Sequence, residues 1–199
     1  MLYDVIRTEE KMLVKAAEKK NIDLKMICSK NIYFDLHKDY LEEYGDVVLQ
    51  RCVSYFRSIH ITSLLESKGI KMVNGLHAAF MAGNKMNCTL ELIKAGVPVP
   101  KTYMAFTPET ALKALQELGY PAVLKPTIGS WGRLIAILKD AESAESIIED
   151  REYMFPIYQQ YYLQEKVNRP PRDIRAFVIG DKVVAAIYRI APEGFWKTN

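Results

Sequence analysis

The sequence predicts an α/β protein with a small doubly wound amino-terminal domain followed by a second α/β region. Over the first seventy-odd residues, short apolar segments alternate with amphipathic helical segments, a pattern typical of a parallel sheet covered on both faces. After a proline-rich connection, strands and helices continue and end in a hairpin. We place the amino-terminal domain at residues 1–75, a central subdomain at 76–163 and the start of a third at 164–199.

The composition is that of an ordinary soluble globular protein. The 199 residues include 27 Lys and Arg against 24 Asp and Glu, which gives a net charge of +3, and 49% are apolar. This apolar content excludes a disordered chain, and no apolar run approaches the roughly 18 residues that a membrane span requires. The cysteines Cys28, Cys52 and Cys88 lie far apart and no signal peptide is visible, so we expect reduced thiols in a cytoplasmic protein.

The distribution of charge argues against two kinds of partner. Cationic and anionic side chains interleave along most of the chain, as on solvated helix faces. The densest cationic stretch, Asn168–Arg172, is short and has no aromatic residues interleaved with it. We therefore expect neither a nucleic-acid partner nor a membrane partner.

The amino-terminal elements follow from local signals. Thr8 is a candidate N-cap, with Glu9 and Glu10 in the first turn of a helix. A second helix is expected over 56–66, and a longer one over 75–95 that ends at Gly96. Apolar segments predict the strands, which we place at 2–7, 24–28, 46–50 and 70–73.

The later elements are read in the same way. Pro108 at the first helical position and Thr107 as its cap predict a helix over 108–118, and a further helix is expected over 141–149. The dipeptide Gly180–Asp181 predicts a hairpin turn. Strands are expected at 102–106, 120–125, 134–138, 161–167, 173–179 and 182–189.

The strongest local signal is a strand that ends in Lys125 and is followed by a loop with two glycines, Gly129–Arg133. Glycines let backbone N–H groups turn toward an anion, and a lysine at a strand end supplies a fixed positive charge. The loop is neither a Walker A sequence nor a GxGxxG sequence. It is therefore either a phosphate-binding loop or an ordinary glycine-containing hairpin.

Three weaker signals leave alternatives open. Lys85 on a helix is either a solvated charge or a phosphate contact, and the segment Gln164–Val167 is either a plain edge strand or a backbone partner for a purine. Asp173 and Arg175 share one face of a strand, so they form a surface ion pair or aim a guanidinium at a phosphoryl group. The three histidines have no ligand spacing, so no metal ligand is assigned.

Taken in chain order, these motifs resemble the ATP-grasp superfamily. The similarity is greatest to its RimK-like branch, and within it to the LysX-type ligases of lysine and arginine biosynthesis that use an amino-group carrier protein. The resemblance covers essentially all 199 residues and depends most on residues 2–7, 51–54, 129–133 and 164–175. It implies an ATP-grasp fold with a Rossmann-like amino-terminal domain, and we expect the carboxy-terminal part of the grasp to lie beyond residue 199.

The resemblance also implies roles for individual residues. Lys85 and Lys125 are expected to contact the phosphates of ATP, and Arg175, Arg189 and Asn199 to face the transferring phosphoryl group. The expected lid over the phosphates consists of Gly129, Ser130, Trp131, Gly132 and Arg133. The remaining nucleotide contacts are expected from Gln164, Glu165, Lys166, Val167 and Asp173, of which Glu165 to Val167 hold adenine through the backbone.

The reaction implied by the resemblance is the formation of an amide through an acyl-phosphate, with ATP and Mg²⁺ as cofactors. The carboxylates that hold Mg²⁺ are expected beyond residue 199. The partners implied are a small acidic carrier protein, whose terminal glutamate is activated, and α-aminoadipate or glutamate as the amine, in a homo-oligomeric enzyme. The alternatives are a RimK-like ligase that adds glutamate to another protein or peptide, and a nucleotide-binding module without catalysis.

Overall fold

The computed structural model describes residues 1–198 and divides the chain into two compact units. The first comprises Met1–Glu91 and the second begins at Leu92. Both contain helices and strands, so the expected mixed α/β class is confirmed. None of the helices in the described part of the chain is long and apolar enough to cross a membrane.

The first unit has four short strands and the helices that connect them. The strands are β1 (Leu2–Tyr3), β2 (Ile27–Cys28), β3 (Val48–Leu49) and β4 (Met72–Val73). The helices are α1 (Thr8–Lys19), α2 (Leu41–Tyr44), α3 (Tyr55–Ser67), α4 (Leu76–Gly83) and α5 (Lys85–Lys94), of which α5 continues into the second unit.

All pairing in the first unit is parallel, as the doubly wound prediction requires. Strand β1 pairs with β2, β3 pairs with β4, and a bridge from Leu2 to Gln50 places β1 beside the end of β3. The core of this unit consists of apolar side chains from the strands and from α3, chiefly Leu2, Val48, Ile61, Leu65, Ile70 and Met72.

Several expected boundaries in this unit are wrong. The strands are only two residues long, because pairing with the neighbours ends there. Arg7, not Thr8, is the N-cap of α1, since its backbone N–H is bound by the Glu10 carboxylate. The single helix expected over 75–95 is broken at Asn84, whose extended backbone separates α4 from α5 and whose side chain accepts the Met86 backbone N–H.

The second unit contains two antiparallel sheets. Its strands are β5 (Thr102–Ala105), β6 (Ala122–Lys125), β7 (Ala136–Leu138), β8 (Tyr161–Glu165), β9 (Arg172–Ile179) and β10 (Lys182–Ile190). Its helices are α6 (Pro108–Leu118), α7 (Ala141–Glu152) and a short 3-10 helix at Pro156–Tyr158.

Four strands form an antiparallel sheet in the order β5-β8-β6-β7. Helices α6 and α7 pack on one face, with Leu115 and Ile148 against Leu163. The expected helix over 108–118 is confirmed, and the side chain of Thr107 accepts the Thr110 backbone N–H as its cap. Helix α7 begins after Asp140 in the same way.

The hairpin of β9 and β10 is a separate two-stranded sheet. Its turn contains Gly180 with a φ of 62°, a left-handed conformation that glycine adopts without strain. Large apolar side chains on both strands are exposed, among them Ile174, Val178, Ile179, Val183, Ile187 and Ile190.

Candidate functional site

The four-stranded sheet has one apolar face and one polar face. Because side chains alternate along a strand, the residues next to Leu124 and Leu163 in sequence point away from the helices. The register places Lys125 opposite Tyr162, and Gln164 opposite both Val123 and Thr102. The polar face therefore brings Lys125 and Gln164, two of the predicted site residues, next to each other.

Lys125 lies at the end of β6 and is directly bound to the neighbouring strand. Its Nζ donates a hydrogen bond to Gln164 Oε1 and lies 5.9 Å from the centroid of the Tyr162 ring. Gln164 is only 8% exposed, so its amide is fixed within the sheet. The positive charge expected at this strand end is thus held in place by a buried polar group.

The orientation of the Gln164 amide follows from its other partners. The Thr102 hydroxyl donates to the Pro100 carbonyl oxygen at 2.7 Å, so it accepts from Gln164 Nε2 at 2.9 Å. The same Nε2 lies 3.1 Å from the Tyr162 hydroxyl. Since the amide nitrogen is committed to these two oxygens, the amide oxygen faces Lys125, which can only donate.

A cavity of about 430 Å³ opens on this side of the sheet. We call it the β6–β8 cavity, and it combines strand residues with the loop after β8 and with aromatic residues near the end of the chain. Its lining residues are Val123, Lys125, Gln164, Glu165, Lys166, Val167, Arg169, Pro170, Pro171, Phe195 and Trp196. The volume lies within the range of small-molecule sites, and the lining has the mixture of apolar and polar groups that such sites show.

At the end of β8 the backbone N–H groups of Glu165 and Lys166 are paired, whereas that of Val167 is not paired among the described residues. The Glu165 N–H donates to the Lys101 carbonyl oxygen at 2.9 Å, and the Lys166 N–H donates to the Pro121 carbonyl oxygen at 3.3 Å. Within residues 1–198 the Val167 N–H has no such partner. An N–H donor at the wall of the cavity can pair with an acceptor nitrogen on the edge of a purine.

The predicted lid, Gly129–Arg133, is an exposed loop between β6 and β7. It contains three residues with positive φ, namely Gly129 at 138°, Trp131 at 63° and Gly132 at 64°. Lys197 Nζ donates to the carbonyl oxygens of Gly132 at 3.2 Å and of Ile135 at 2.9 Å. The loop is therefore tethered to the end of the described chain, and closure over a phosphate remains a prediction.

The hairpin residues are arranged differently from the simplest expectation. Asp173 pairs not with Arg175 but with Arg189, which lies directly opposite it on β10. The Arg189 guanidinium donates two hydrogen bonds to the Asp173 carboxylate, at 2.7 and 2.6 Å, and the Thr198 hydroxyl donates a third. These hydrogen bonds, with that from Arg189 the strongest, lower the pKa of Asp173 to about 2.

Arg175 lies on the same face of the hairpin, is exposed and is opposite Ile187. Of the two arginines expected to face a phosphoryl group, Arg189 is neutralised by Asp173, and Arg175 has no acidic partner among the described residues. Asn199, the third residue assigned to that role, lies outside the described residues.

Lys85 belongs to the first unit and is the first residue of α5. Burial lowers the pKa of its ammonium group, so its charge is partly withdrawn from water. The Asn84 side chain, which caps α5, explains why a helix begins at this residue. Contact of Lys85 with phosphate remains a prediction.

The residues missed by sequence analysis are Thr102 and Tyr162, which orient Gln164, and Phe195 and Trp196, which line the cavity. Tyr162 could have been predicted to lie beside Gln164, because residues two apart in a strand share a face of the sheet. Within residues 1–198 no group of three or more His, Cys, Asp or Glu side chains is placed to hold a metal ion. Asp173 is already bound by Arg189 and Thr198.

Comparison with known protein families matches the whole chain. Residues 1–81 match the LysX preATP-grasp domain and residues 82–199 match the RimK-like ATP-grasp domain. An alpha-aminoadipate–LysW ligase LysX from Sulfurisphaera tokodaii is 38% identical, over all of this chain and 70% of its own length. A glutamate–LysW ligase ArgX from Sulfolobus acidocaldarius is 33% identical over the same shares of the two chains.

A similar fold occurs among solved structures. A RimK domain ATP-grasp protein from Sphaerobacter thermophilus superposes with a TM-score of 0.80 at 24% sequence identity, over 94% of this chain and 72% of its own. The purK N5-carboxyaminoimidazole ribonucleotide synthetase, solved as an ADP complex, gives a TM-score of 0.65 at 20% identity, over 98% of this chain and 48% of its own. These two likenesses concern the fold.

Proposed function

We propose that this chain, which belongs to the RimK-like ATP-grasp family and has a LysX preATP-grasp domain, joins an amino acid to a carrier protein. The chain is an ATP-dependent ligase that forms C–N bonds in lysine or arginine biosynthesis. The proposed acyl donor is the terminal glutamate of a LysW-like carrier protein, and the amine is that of α-aminoadipate or glutamate. The finding that carries the proposal for this chain is the pairing of Lys125 with Gln164 at the cavity.

The β6–β8 cavity is the proposed site of the nucleotide. The Val167 N–H is proposed to donate a hydrogen bond to the edge of adenine, and the Trp196 and Phe195 side chains to pack against the ring. Lys125, at the end of β6, is proposed to contact the phosphates, and the loop Gly129–Arg133 to cover them. Ser130 and Arg133 are further polar residues of this loop, and Lys166 is a further polar residue of the cavity lining.

The proposed reaction has two steps. An oxygen of the carrier carboxylate attacks the γ-phosphorus of ATP, the bond to the bridging oxygen breaks, and ADP leaves with an acyl-phosphate remaining. The amine then attacks the acyl carbon, phosphate leaves, and the amine loses a proton as the amide forms. The transferred group passes between two anions, so its stabilisation is mostly electrostatic.

The residues of this chain contribute charge and exclusion of water. Lys85, Lys125 and Arg175 are the cations proposed to face the phosphates. A closed glycine loop would protect the acyl-phosphate from hydrolysis. Magnesium neutralises phosphate charge in this class of reaction. Within residues 1–198 no group of three or more acidic, His or Cys side chains is placed to hold it, and the ligands are proposed to lie outside these residues.

The test is the release of ADP by the chain in the presence of ATP and Mg²⁺, with the carrier protein and the amino acid each omitted in turn. The proposal expects phosphate transfer only with the carrier present, and amide formation, detected as a mass increase of the carrier, only when both are present. ADP release that ignores the carrier but requires another protein terminus would favour the RimK-like alternative. Nucleotide binding without any turnover would favour the non-catalytic module.

The identity of the amine is the finer question, since relatives named for either amine match this chain, at 38% and 33% identity. Parallel assays with α-aminoadipate and glutamate at equal concentration, compared by kcat/KM, decide it. We propose α-aminoadipate because the LysX relative shares more identical residues with this chain than the ArgX relative does.

A further inference from the structure

A second group of charged residues lies in the amino-terminal unit, where it takes no part in the proposed nucleotide site. It is found at the carboxyl ends of the parallel strands. Arg7 follows β1, Arg51 follows β3, and both guanidinium groups bind the carboxylate of Glu10 on α1. We call this group of three residues the Arg7–Glu10–Arg51 cluster.

The geometry of the cluster leaves guanidinium N–H groups at its exposed end. Arg7 donates to Glu10 from Nε at 3.0 Å and from Nη2 at 2.8 Å. Arg51 donates from Nε at 2.9 Å, and its Nη2 lies 2.7 Å from the same carboxylate. Glu10 is completely buried while the two arginine side chains are about one-third exposed, and the exposed carboxylate of Glu9 lies 3.9 Å from Arg7 Nε.

Each arginine keeps an N–H group without a partner. The Nη1 group of Arg7 and that of Arg51 make no hydrogen bond within residues 1–198. A guanidinium held by its Nε and Nη2 edge presents its remaining N–H groups in a fixed direction, and carboxylates are the anions that such a fork binds well. The cluster therefore has the hydrogen-bond donors of a carboxylate site.

The position of the cluster in the fold is also that of a ligand site. Strand β1 has β2 on one side and, through the Leu2–Gln50 bridge, the end of β3 on the other. The chain leaves β1 for β2 in one direction, whereas β3 is added on the opposite side, so β1 borders a topological switch point. In open α/β sheets, ligands bind outside the carboxyl ends of the strands at such a point.

The loop that carries Arg51 is fixed before any ligand arrives. Asp4, at the end of β1, accepts the Val53 N–H at 2.8 Å, the Ser54 N–H at 3.1 Å and Arg57 Nη1 at 2.7 Å. The Arg51 N–H itself donates to the Leu2 carbonyl oxygen at 2.8 Å. A loop held in this way binds a ligand with little further loss of conformational entropy.

Exposed apolar side chains lie close in sequence to the two arginines. Val5 and Ile6 precede Arg7, Val53 follows Arg51, and Phe56 is the second residue of α3, and each is about half exposed. Arginine together with exposed apolar and aromatic groups is the composition of a binding surface rather than of a solvated one.

From these observations we infer that the Arg7–Glu10–Arg51 cluster binds a carboxylate group of one of the two substrates. The inference rests on the proposed function for the identity of those substrates. The carboxylate comes either from the terminal glutamate of the carrier or from the dicarboxylic amino acid. Both sources offer the same chemistry to the arginines, and the experiment below distinguishes them.

The experiment is an NMR titration of the chain, without nucleotide, with two probes. N-acetylglutamate represents the carrier terminus and free α-aminoadipate represents the amino acid, while N-acetylglutaminamide, which has no carboxylate, is the neutral control. We expect saturable shifts of the Arg7 and Arg51 side-chain signals and of the Val53 N–H with one charged probe and none with the neutral one. The charged probe that binds identifies the source of the carboxylate.

The matched variants are Arg51→Gln and Lys15→Gln, which each remove one positive charge from this unit. Lys15 is exposed on α1 and has no ion pair among the described residues. We expect at least tenfold weaker binding in Arg51→Gln and no change in Lys15→Gln. If Arg51→Gln fails to fold, the shifts in the unmodified chain still decide the matter, because charged probes that cause no saturable shift at Arg7 and Arg51 overturn the inference.

The titration tests the carboxylate site independently of the proposed ligase function. The titration contains no ATP, and the nucleotide site is tested by ADP release. A chain that hydrolyses or transfers phosphate as proposed, but shows no carboxylate binding at the cluster, refutes only the assignment of the cluster. A chain that binds the probe but lacks ATP-dependent turnover refutes the ligase proposal and leaves the carboxylate site in place.

Discussion

The ammonium group of Lys125 donates a hydrogen bond to the side-chain oxygen of Gln164 on the adjacent antiparallel strand. The orientation of that glutamine is set by Thr102 on a third strand. The lysine charge at the cavity is therefore positioned by contacts across three strands of the sheet.

Replacement of Lys125 by alanine tests the proposed phosphate contact. Lys125→Ala is expected to lower the affinity for ATP at least tenfold and to abolish ligation, because the fixed charge at the end of β6 is lost. Lys139→Ala, which removes an exposed lysine from the same unit, is the matched control. Calorimetric titration with ATP measures the effect, and equal affinity in the two variants would refute the role of Lys125.

The contribution of Gln164 as a positioning residue is tested by Gln164→Leu. Loss of the amide removes the hydrogen bond from Lys125 to Gln164 and the contacts of the Gln164 nitrogen with the Thr102 and Tyr162 hydroxyl groups. We expect ATP binding to weaken about tenfold, equivalent to about 1.4 kcal/mol, with stability falling by about 1–3 kcal/mol.

Two further variants separate positioning from general destabilisation. Thr102→Val keeps the shape of the side chain but removes the oxygen that orients the amide, so a smaller loss of ATP affinity is expected. Gln116→Leu replaces an exposed glutamine on α6 and should leave binding unchanged. A Gln164→Leu variant that is less stable but binds ATP normally would show that Gln164 is structural only.

The cavity assignment predicts a spectroscopic signal. In Trp131→Phe, Trp196 at the cavity wall is the one tryptophan left in the chain. We expect ATP or ADP to change its fluorescence, with the same saturation curve as in calorimetry, because the adenine would contact the indole. Nucleotide binding detected by calorimetry without any change in Trp196 emission would place the base elsewhere.

The Glu10 carboxylate predicts how the first unit responds to acid. Hydrogen bonds from Arg7, aided by Arg51, lower its pKa from the ordinary 4.5 to about 2. A depressed carboxyl pKa stabilises the folded state above the unfolded value, and this contribution is lost as the pH falls from about 4.5 toward 2.

We therefore expect the urea midpoint of α1, followed by NMR, to fall between pH 6 and pH 3. In Glu10→Gln the midpoint should already be lower at pH 6 and should change less over the same range. Glu9→Gln provides the control, since Glu9 is exposed and its nearest atom is 3.9 Å from Arg7, which is too far for a hydrogen bond. An unchanged acid response in Glu10→Gln would contradict the assignment.

The helix Pro108–Leu118 could be predicted because its limits depend on its own residues. Thr107 caps it, Pro108 fits its first position, and Gly119 ends it with a φ of 85°. The limits of the amino-terminal strands could not be predicted, because they depend on how far distant segments remain paired. At Asn84 the side chain accepts the Met86 backbone N–H and caps a new helix, so the preceding helix ends instead of continuing through this residue.

The site was predictable to the same extent. Lys125 and Gln164 carry signals within their own strands, but their contact requires the pairing of β6 with β8. The partner of Asp173 depends on the register of the hairpin, which shifts between Val183 and Ala185. Periodicity in one strand identifies Arg175 as a neighbour and cannot show that Arg189 lies opposite.

The hairpin of β9 and β10 has a practical consequence for anyone who handles this chain. Each strand has an outer edge that pairs with no other strand in the part of the chain that the structure describes, and both carry bare aliphatic side chains. Such edges recruit strands from other molecules, so concentrated samples should cluster through this hairpin first. Light scattering against concentration would reveal the clustering, and Val183→Lys or Ile187→Lys should suppress it.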